Sequence, residues 1–74
     1  MEQVITILQE LKPEIDFINC TTLIDDELLD SFDIISIVAE LNEAFDIRIP
    51  ASEVTPENFN SAQALYNMVQ SLQD

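Results

Sequence analysis

Seventy-four residues make one small domain, near the lower size at which a core can stand without metal or disulfide support. Fifteen acids against two bases give a formal charge of −13, which excludes nucleic acid and anionic membrane as direct partners and favours proteins with basic surfaces. One cysteine and no histidine exclude an internal disulfide, a Cys/His zinc site and the usual neutral-pH acid–base catalyst. No stretch is long enough to cross a bilayer, and Met1-Glu2-Gln3 lacks the basic opening of a signal peptide, so a cytoplasmic location is expected.

Glu2–Leu11 reads as a first helix, with Val4, Ile5, Leu8 and Leu11 along one face. Pro13 disfavours helix at Lys12, leaving room for one further turn around residues 14–18, and Ile15, Phe17 and Ile18 are expected to plug the core. Residues 19–29 make a long crossing, and its Leu23, Ile24, Leu28 and Leu29 predict that it packs down on the core. Cys20 reads as a small, partly buried residue in preference to a reactive thiol. The acids Asp25, Asp26, Glu27, Asp30 and Asp33 lack the glycine and the alternate-residue spacing of a calcium loop, so no metal site is expected beyond loose cation binding at the surface.

The central stretch is residues 28–41, LLDSFDIISIVAEL. Asp30 suits an N-cap, and Asp33 three residues on makes a short-armed capping box. Ser31 then stands at or just inside a helix N-terminus, where free amides and the positive pole of the helix dipole favour a phosphate ester on its hydroxyl. At about 100° per residue, Ile34, Ile37, Val38, Leu41, Ala44 and Phe45 face a core. Asp33, Ser36, Glu40 and Glu43 fall on the other side, together with Phe32 and Ala39. A phenylalanine exposed among carboxylates reads as the apolar centre of a docking face with a charged rim.

The second helix should end near Asp46, followed by a short extended connection in which Ile47 and Ile49 alternate with Arg48 before Pro50. Thr55 and Pro56 have the form of a cap and a first helical residue, opening a short third helix that carries Phe59 inward. Asn60 or Ser61 caps the last helix, whose Ala62, Leu65, Val69 and Leu72 recur at three and four residues, with Tyr66 and Met68 flanking. The elements are therefore all α: three longer helices, one short third helix, and a long loop between the first two.

The Asp30-Ser31-Phe32 triplet, continued through Val38, Leu41, Glu43, Phe45-Asp46 and Ile49-Pro50, resembles the acyl carrier protein family. That family's attachment signature is Asp-Ser-Leu or Asp-Ser-Met, opening the second helix of a small four-helix bundle. The order and length of the remaining elements agree over nearly the whole chain. The resemblance implies one carrier domain over residues 1–74, monomeric and not an enzyme. It implies 4′-phosphopantetheine joined covalently to Ser31 by a phosphopantetheinyl transferase that draws on coenzyme A, with acyl or aminoacyl groups carried on it as thioesters. By the same analogy Asp30, Asp33, Glu40 and Glu43 meet Arg or Lys on a loading ligase or transferase and on an acyl-consuming synthase or transferase. Phe32 packs at the centre of those contacts, with Ala39 on the same docking face, and no direct membrane insertion is implied.

The chain departs from the family pattern in several places. Phe32 replaces the usual leucine or methionine, Ser36 and Asn42 stand where fatty-acid carriers commonly have acids, and Arg48 stands where an acid or neutral polar residue is more common. The Leu-Leu-Asp-Ser stretch and the Pro-Glu-Asn-Phe-Asn-Ser run are similar to carriers paired with adenylating ligases, such as D-alanyl carriers. Fatty acid biosynthesis and a specialised ligase-loaded role both stay open at this level. The alternative is an unmodified acidic helical adaptor that binds basic protein surfaces, in which Asp30 merely caps a helix. A hydrolase is disfavoured, because Ser31 has no histidine base and no lysine nearby in sequence.

Overall fold

A computed structural model describes residues 2–73; Met1 and Asp74, the ends of the expected domain, and with Met1 part of the reading of the N-terminal opening, lie outside them. Helix α1, Glu2–Leu11, buries Val4 and Leu8, with Ile5, Ile7 and Leu11 packed at the edge of the core. It stops where the Lys12 N–H makes its last bond to the Leu8 carbonyl at 2.9 Å and Pro13 offers no donor to continue.

The crossing to the next helix contains turns instead of a further helix over residues 14–18. The Cys20 N–H closes one turn on the Asp16 carbonyl at 3.0 Å, and the Asn19 amide donates to the Asp16 carboxylate at 2.9 Å. That donation holds the Asp16 carboxyl below its usual range. Phe17 is buried and Ile15 half-buried, as expected, but Ile18 is 70% exposed and does not plug the core. Neighbours in a helix-like turn point about 100° apart, so sending Phe17 inward turns Ile18 out. Cys20 is partly buried, as its size suggested.

Leu23 and Leu29 are buried and Ile24 packs partly on the core, whereas Leu28 faces outward, contrary to expectation. The cause is local: the Leu23 carbonyl accepts from both the Leu28 and Leu29 N–H groups, at 2.9 and 3.2 Å, so the chain wraps tightly and the two leucines face opposite ways. Glu27 adopts φ 58° at this wrap, a left-handed conformation that crowds a Cβ, in a chain with no glycine to relieve it.

Helix α2, Ser31–Phe45, buries Ile37 and Leu41 and packs Ile34, Val38 and Phe45 partly against the core. Ala44 is exposed instead of core-facing. It lies about 60° round the helix from Leu41, at the stripe's edge, where a single methyl is too short to reach inward. Asp46 terminates the helix in a left-handed conformation, with its N–H on the Asn42 carbonyl. Ile49 is then buried, Ile47 half-buried and Arg48 exposed, as the alternation indicated.

A 3-10 turn, Ala51–Glu53, precedes the short α3, Pro56–Phe59, in which Thr55 caps the Asn58 N–H at 3.3 Å and Phe59 is buried. Three residues carry too little periodicity for the 3-10 turn to show in the sequence. Helix α4, Ala62–Gln73, is capped by Ser61, whose hydroxyl accepts from the Ala64 N–H at 3.0 Å. Ala62, Leu65, Met68 and Val69 are buried, and Tyr66 and Leu72 pack beside them. Helix α1 lies against α2 and α4, α3 lies against α4, and one continuous apolar core fills the space between. No helix among the described residues is long and apolar enough to cross a membrane.

No charged or polar side chain is buried among the described residues, so the acids lie at the surface and repel one another through water. Only two bases offset them, and Arg48 enters no ion pair among the described residues. Raising ionic strength, or adding millimolar magnesium, should therefore raise the melting temperature through screening. Superimposable melting curves across a salt series would count against this electrostatic load.

Candidate functional site

The end of the crossing and the first turn of α2 lock each other in place. Asp30 is extended, at φ −96° and ψ −178°, and its Oδ1 accepts the Asp33 N–H at 2.8 Å. Asp33 Oδ2 accepts the Asp30 N–H in return at 3.3 Å, completing a reciprocal capping box. The Asp30 carbonyl takes the first helical bond, from the Ile34 N–H at 3.0 Å. The helix start is thus fixed between Asp30 and Ser31, where the sequence indicated it.

Ser31 is the first residue of α2 and is exposed. Its hydroxyl and the amides of Ser31 and Phe32 enter no hydrogen bond among the described residues. An ester phosphate on Ser31 Oγ would meet two unpaired N–H donors and the positive pole of a 15-residue helix, in open solvent. The residues present therefore fit a phosphodiester-linked group, with no rearrangement of the core required.

Of the other residues singled out in the sequence, Asp30, Phe32, Ala39, Glu40 and Glu43 are all exposed, on the outward side of α2 or at its start. Phe32 is 74% exposed, and Ile35, which sequence reasoning missed, is 67% exposed. With Ala39 they follow at spacings of three and four, making an apolar strip along the outside of the helix. The same helical projection that placed Phe32 outward carries Ile35 to the edge of that strip, so the signal was present. Ser36 is half-buried and does not belong to the exposed polar face.

Asp33 differs from the expected docking acids. Its side chain is only 17% exposed, and its Oδ2 lies 3.4 Å from the Lys12 Nζ, which also lies 3.4 Å from Glu14 Oε1. The hydrogen bond to Asp33, then its charge, and then Glu14 hold the Lys12 ammonium above its ordinary pKa. The stability that Lys12 gains from this raised pKa is fully present below the ordinary lysine range and is lost as pH rises through the raised value. Lys12 is distant from Ser31 in sequence, and the close packing of α1 on α2 brings it to this helix start.

Asn60 is a further residue whose part the sequence did not disclose. Its Oδ1 accepts from the Ile24 and Asp25 N–H groups at 2.9 and 3.1 Å, its Nδ2 donates to Asp25 Oδ2 at 3.3 Å, and its carbonyl accepts the Leu23 N–H at 2.9 Å. These bonds clasp the crossing to the α3–α4 junction, just ahead of the wrap that leads into Asp30.

Comparison with known proteins points to one family. The family described as "Phosphopantetheine attachment site" matches residues 2–69. The D-alanyl carrier protein of Streptococcus sanguinis is 33% identical over 73 residues, covering 97% of this chain and 92% of that protein. The D-alanyl carrier protein of Lactococcus lactis subsp. lactis is 38% identical over 52 residues, 70% of this chain and 66% of that protein. Aminoacyl carrier protein 1 of Bradyrhizobium diazoefficiens is 44% identical over 41 residues, 55% of this chain, and the match spans less than half of that relative, 46%. No solved structure matches significantly. A family match over almost its whole length, and likeness to a carrier over 97% of it, show that this helical bundle belongs to the acyl carrier family, whose members bear 4′-phosphopantetheine on a serine.

Proposed function

We propose that Ser31 is the serine that bears the prosthetic group, and that the cargo is an amino acid activated and loaded by a separate adenylating ligase. The observation that carries the first part is the exposed, unbonded hydroxyl at the capped start of α2. The second part is supported by the relatives, whose names are those of D-alanyl and aminoacyl carriers, and by Ser36 and Asn42, which leave α2 less acidic than a fatty-acid carrier's.

The group, when attached, supplies a flexible arm ending in a thiol on which cargo rides as a thioester. Ser31 contributes one nucleophilic step, catalysed by a transferase. Its oxygen attacks a phosphorus of coenzyme A's pyrophosphate, the Oγ–P bond forms as the P–O bond to 3′,5′-ADP breaks, and the hydroxyl proton passes to a base of the transferase. The chain supplies no histidine to take that proton, so in this reading the base belongs to the transferase. Presenting one tethered cargo to several enzymes raises its effective concentration at each.

Docking falls to the outer face of α2. Asp30, Glu40 and Glu43 meet basic residues of the partners, while Phe32, Ile35 and Ala39 make the apolar centre. Asp33 contributes less, since its charge is already met by Lys12. Charge-steered, weak binding suits a monomeric cytoplasmic shuttle that each partner must release promptly. Loading assays on the modified protein discriminate the cargo classes: an amino-acid adenylating ligase should form the aminoacyl thioester, and a fatty-acid malonyltransferase should load it poorly. Efficient malonyl loading without aminoacyl loading would return the chain to the fatty-acid branch.

A further inference from the structure

We infer that Lys12 is a positioning residue for the modification of Ser31: its ammonium offsets the Asp33 carboxylate, so that the acidic start of α2 accepts a second anion. The inference rests on the reading of Ser31 as the attachment serine. Ser31 stands between Asp30 and Asp33, two carboxylates tied into the capping box on either side of it. The same Asp33 Oδ2 that accepts the Asp30 N–H also touches the Lys12 Nζ, which places the ammonium no more than two such contacts from the N-cap nitrogen. The two paired side chains are 29% and 17% exposed, so water and salt screen them less than they screen an exposed acid such as Glu14, at 64%.

Of the two bases in the chain, Arg48 is exposed after the far end of α2, and among the described residues Lys12 is the base at its start. Without Lys12, an incoming phosphodiester faces both carboxylates with only the two free amides and the helix dipole in its favour. With Lys12 in place, one carboxylate is matched before the anion arrives. The cap is also held in register from α1, a contact that the box alone does not provide.

The test compares wild type, Lys12→Gln and Lys12→Arg as substrates of a broad-specificity phosphopantetheinyl transferase, with melting temperatures and the 31P resonance of each modified protein recorded alongside. Lys12→Gln should lower kcat by roughly 3- to 10-fold, the range expected for one nearby charge partly screened by water. KM should stay level or fall, because a more acidic carrier docks at least as well on a basic enzyme. The 31P resonance should move in Lys12→Gln, and Lys12→Arg should restore both the resonance and kcat. Equal kcat in wild type and Lys12→Gln overturns the role of Lys12 alone. A loss that Arg fails to restore, and that follows the melting temperature, assigns Lys12 to holding the fold and overturns it as well. Failure of wild type itself to be modified overturns the reading of Ser31, and Lys12 with it.

Discussion

Replacing Phe32 and Ile35 together with alanine is expected to weaken docking of the loading ligase at least tenfold while leaving the melting temperature nearly unchanged. Both side chains stand in water, at 74% and 67% exposure, so truncation removes little core packing and stability should move by no more than about 0.5 kcal/mol. At a partner interface the same atoms would be desolvated. Apolar anchors at the centre of an interface typically cost about 1–2 kcal/mol each when truncated, and two of them exceed a tenfold change. Charge removal at Glu40 or Glu43 should differ in kind, slowing association and flattening its salt dependence. Calorimetric titration of the double variant against its ligase checks the effect. Unchanged affinity would move the docking surface elsewhere, and a large fall in melting temperature would place these side chains in the core.

The second large effect is on stability. Asn60→Ala removes the acceptor for the Ile24 and Asp25 amides and the donor to the Asp25 carboxylate, leaving the backbone bond from Leu23 as the one remaining hydrogen bond from the crossing to residue 60. Stripping the partner from the partly shielded Ile24 amide, together with losing the exposed bonds to Asp25, costs on the order of 2 kcal/mol. In a domain of this size that lowers the melting temperature by roughly 10 °C. Amide exchange should accelerate over residues 23–29, the segment that delivers the chain to Asp30. Asn60→Asp keeps the acceptor but sets a carboxylate beside Asp25, so its defect should shrink as the pH is lowered. A melting curve for Asn60→Ala that overlays wild type would show the clasp to be incidental.

The legible parts of this chain are those governed by short-range rules. The capping box at Asp30 and Asp33, the threonine–proline start at Thr55 and Pro56, and the apolar stripes of α1, α2 and α4 each depend on residues within a few positions of one another. The misses share another cause. Ile18 and Leu28 are apolar residues in irregular chain, where no period says which way a side chain points, and a neighbour had already taken the inward direction. Ala44 lies at the margin of a real stripe, where reach and not angle decides burial. Asn60 and Lys12 act across long sequence separations, so their partners exist only once α1, α2 and the α3–α4 junction have packed.

Seen from the surface, the same division separates attachment from recognition. Attachment needs a hydroxyl, a helix start and two free amides, all encoded within four residues. Recognition, as proposed, needs a strip and a rim spread over α2, where Phe32 and Ile35 are exposed side by side.

The most direct measurement is the mass of the purified chain after incubation with coenzyme A and a broad-specificity phosphopantetheinyl transferase, followed by fragmentation of the peptide that contains Ser31. One phosphopantetheinyl increment located on Ser31, and none on a folded Ser31→Ala variant, is the result predicted here. An unmodified chain, or an increment that persists in the alanine variant, would contradict it.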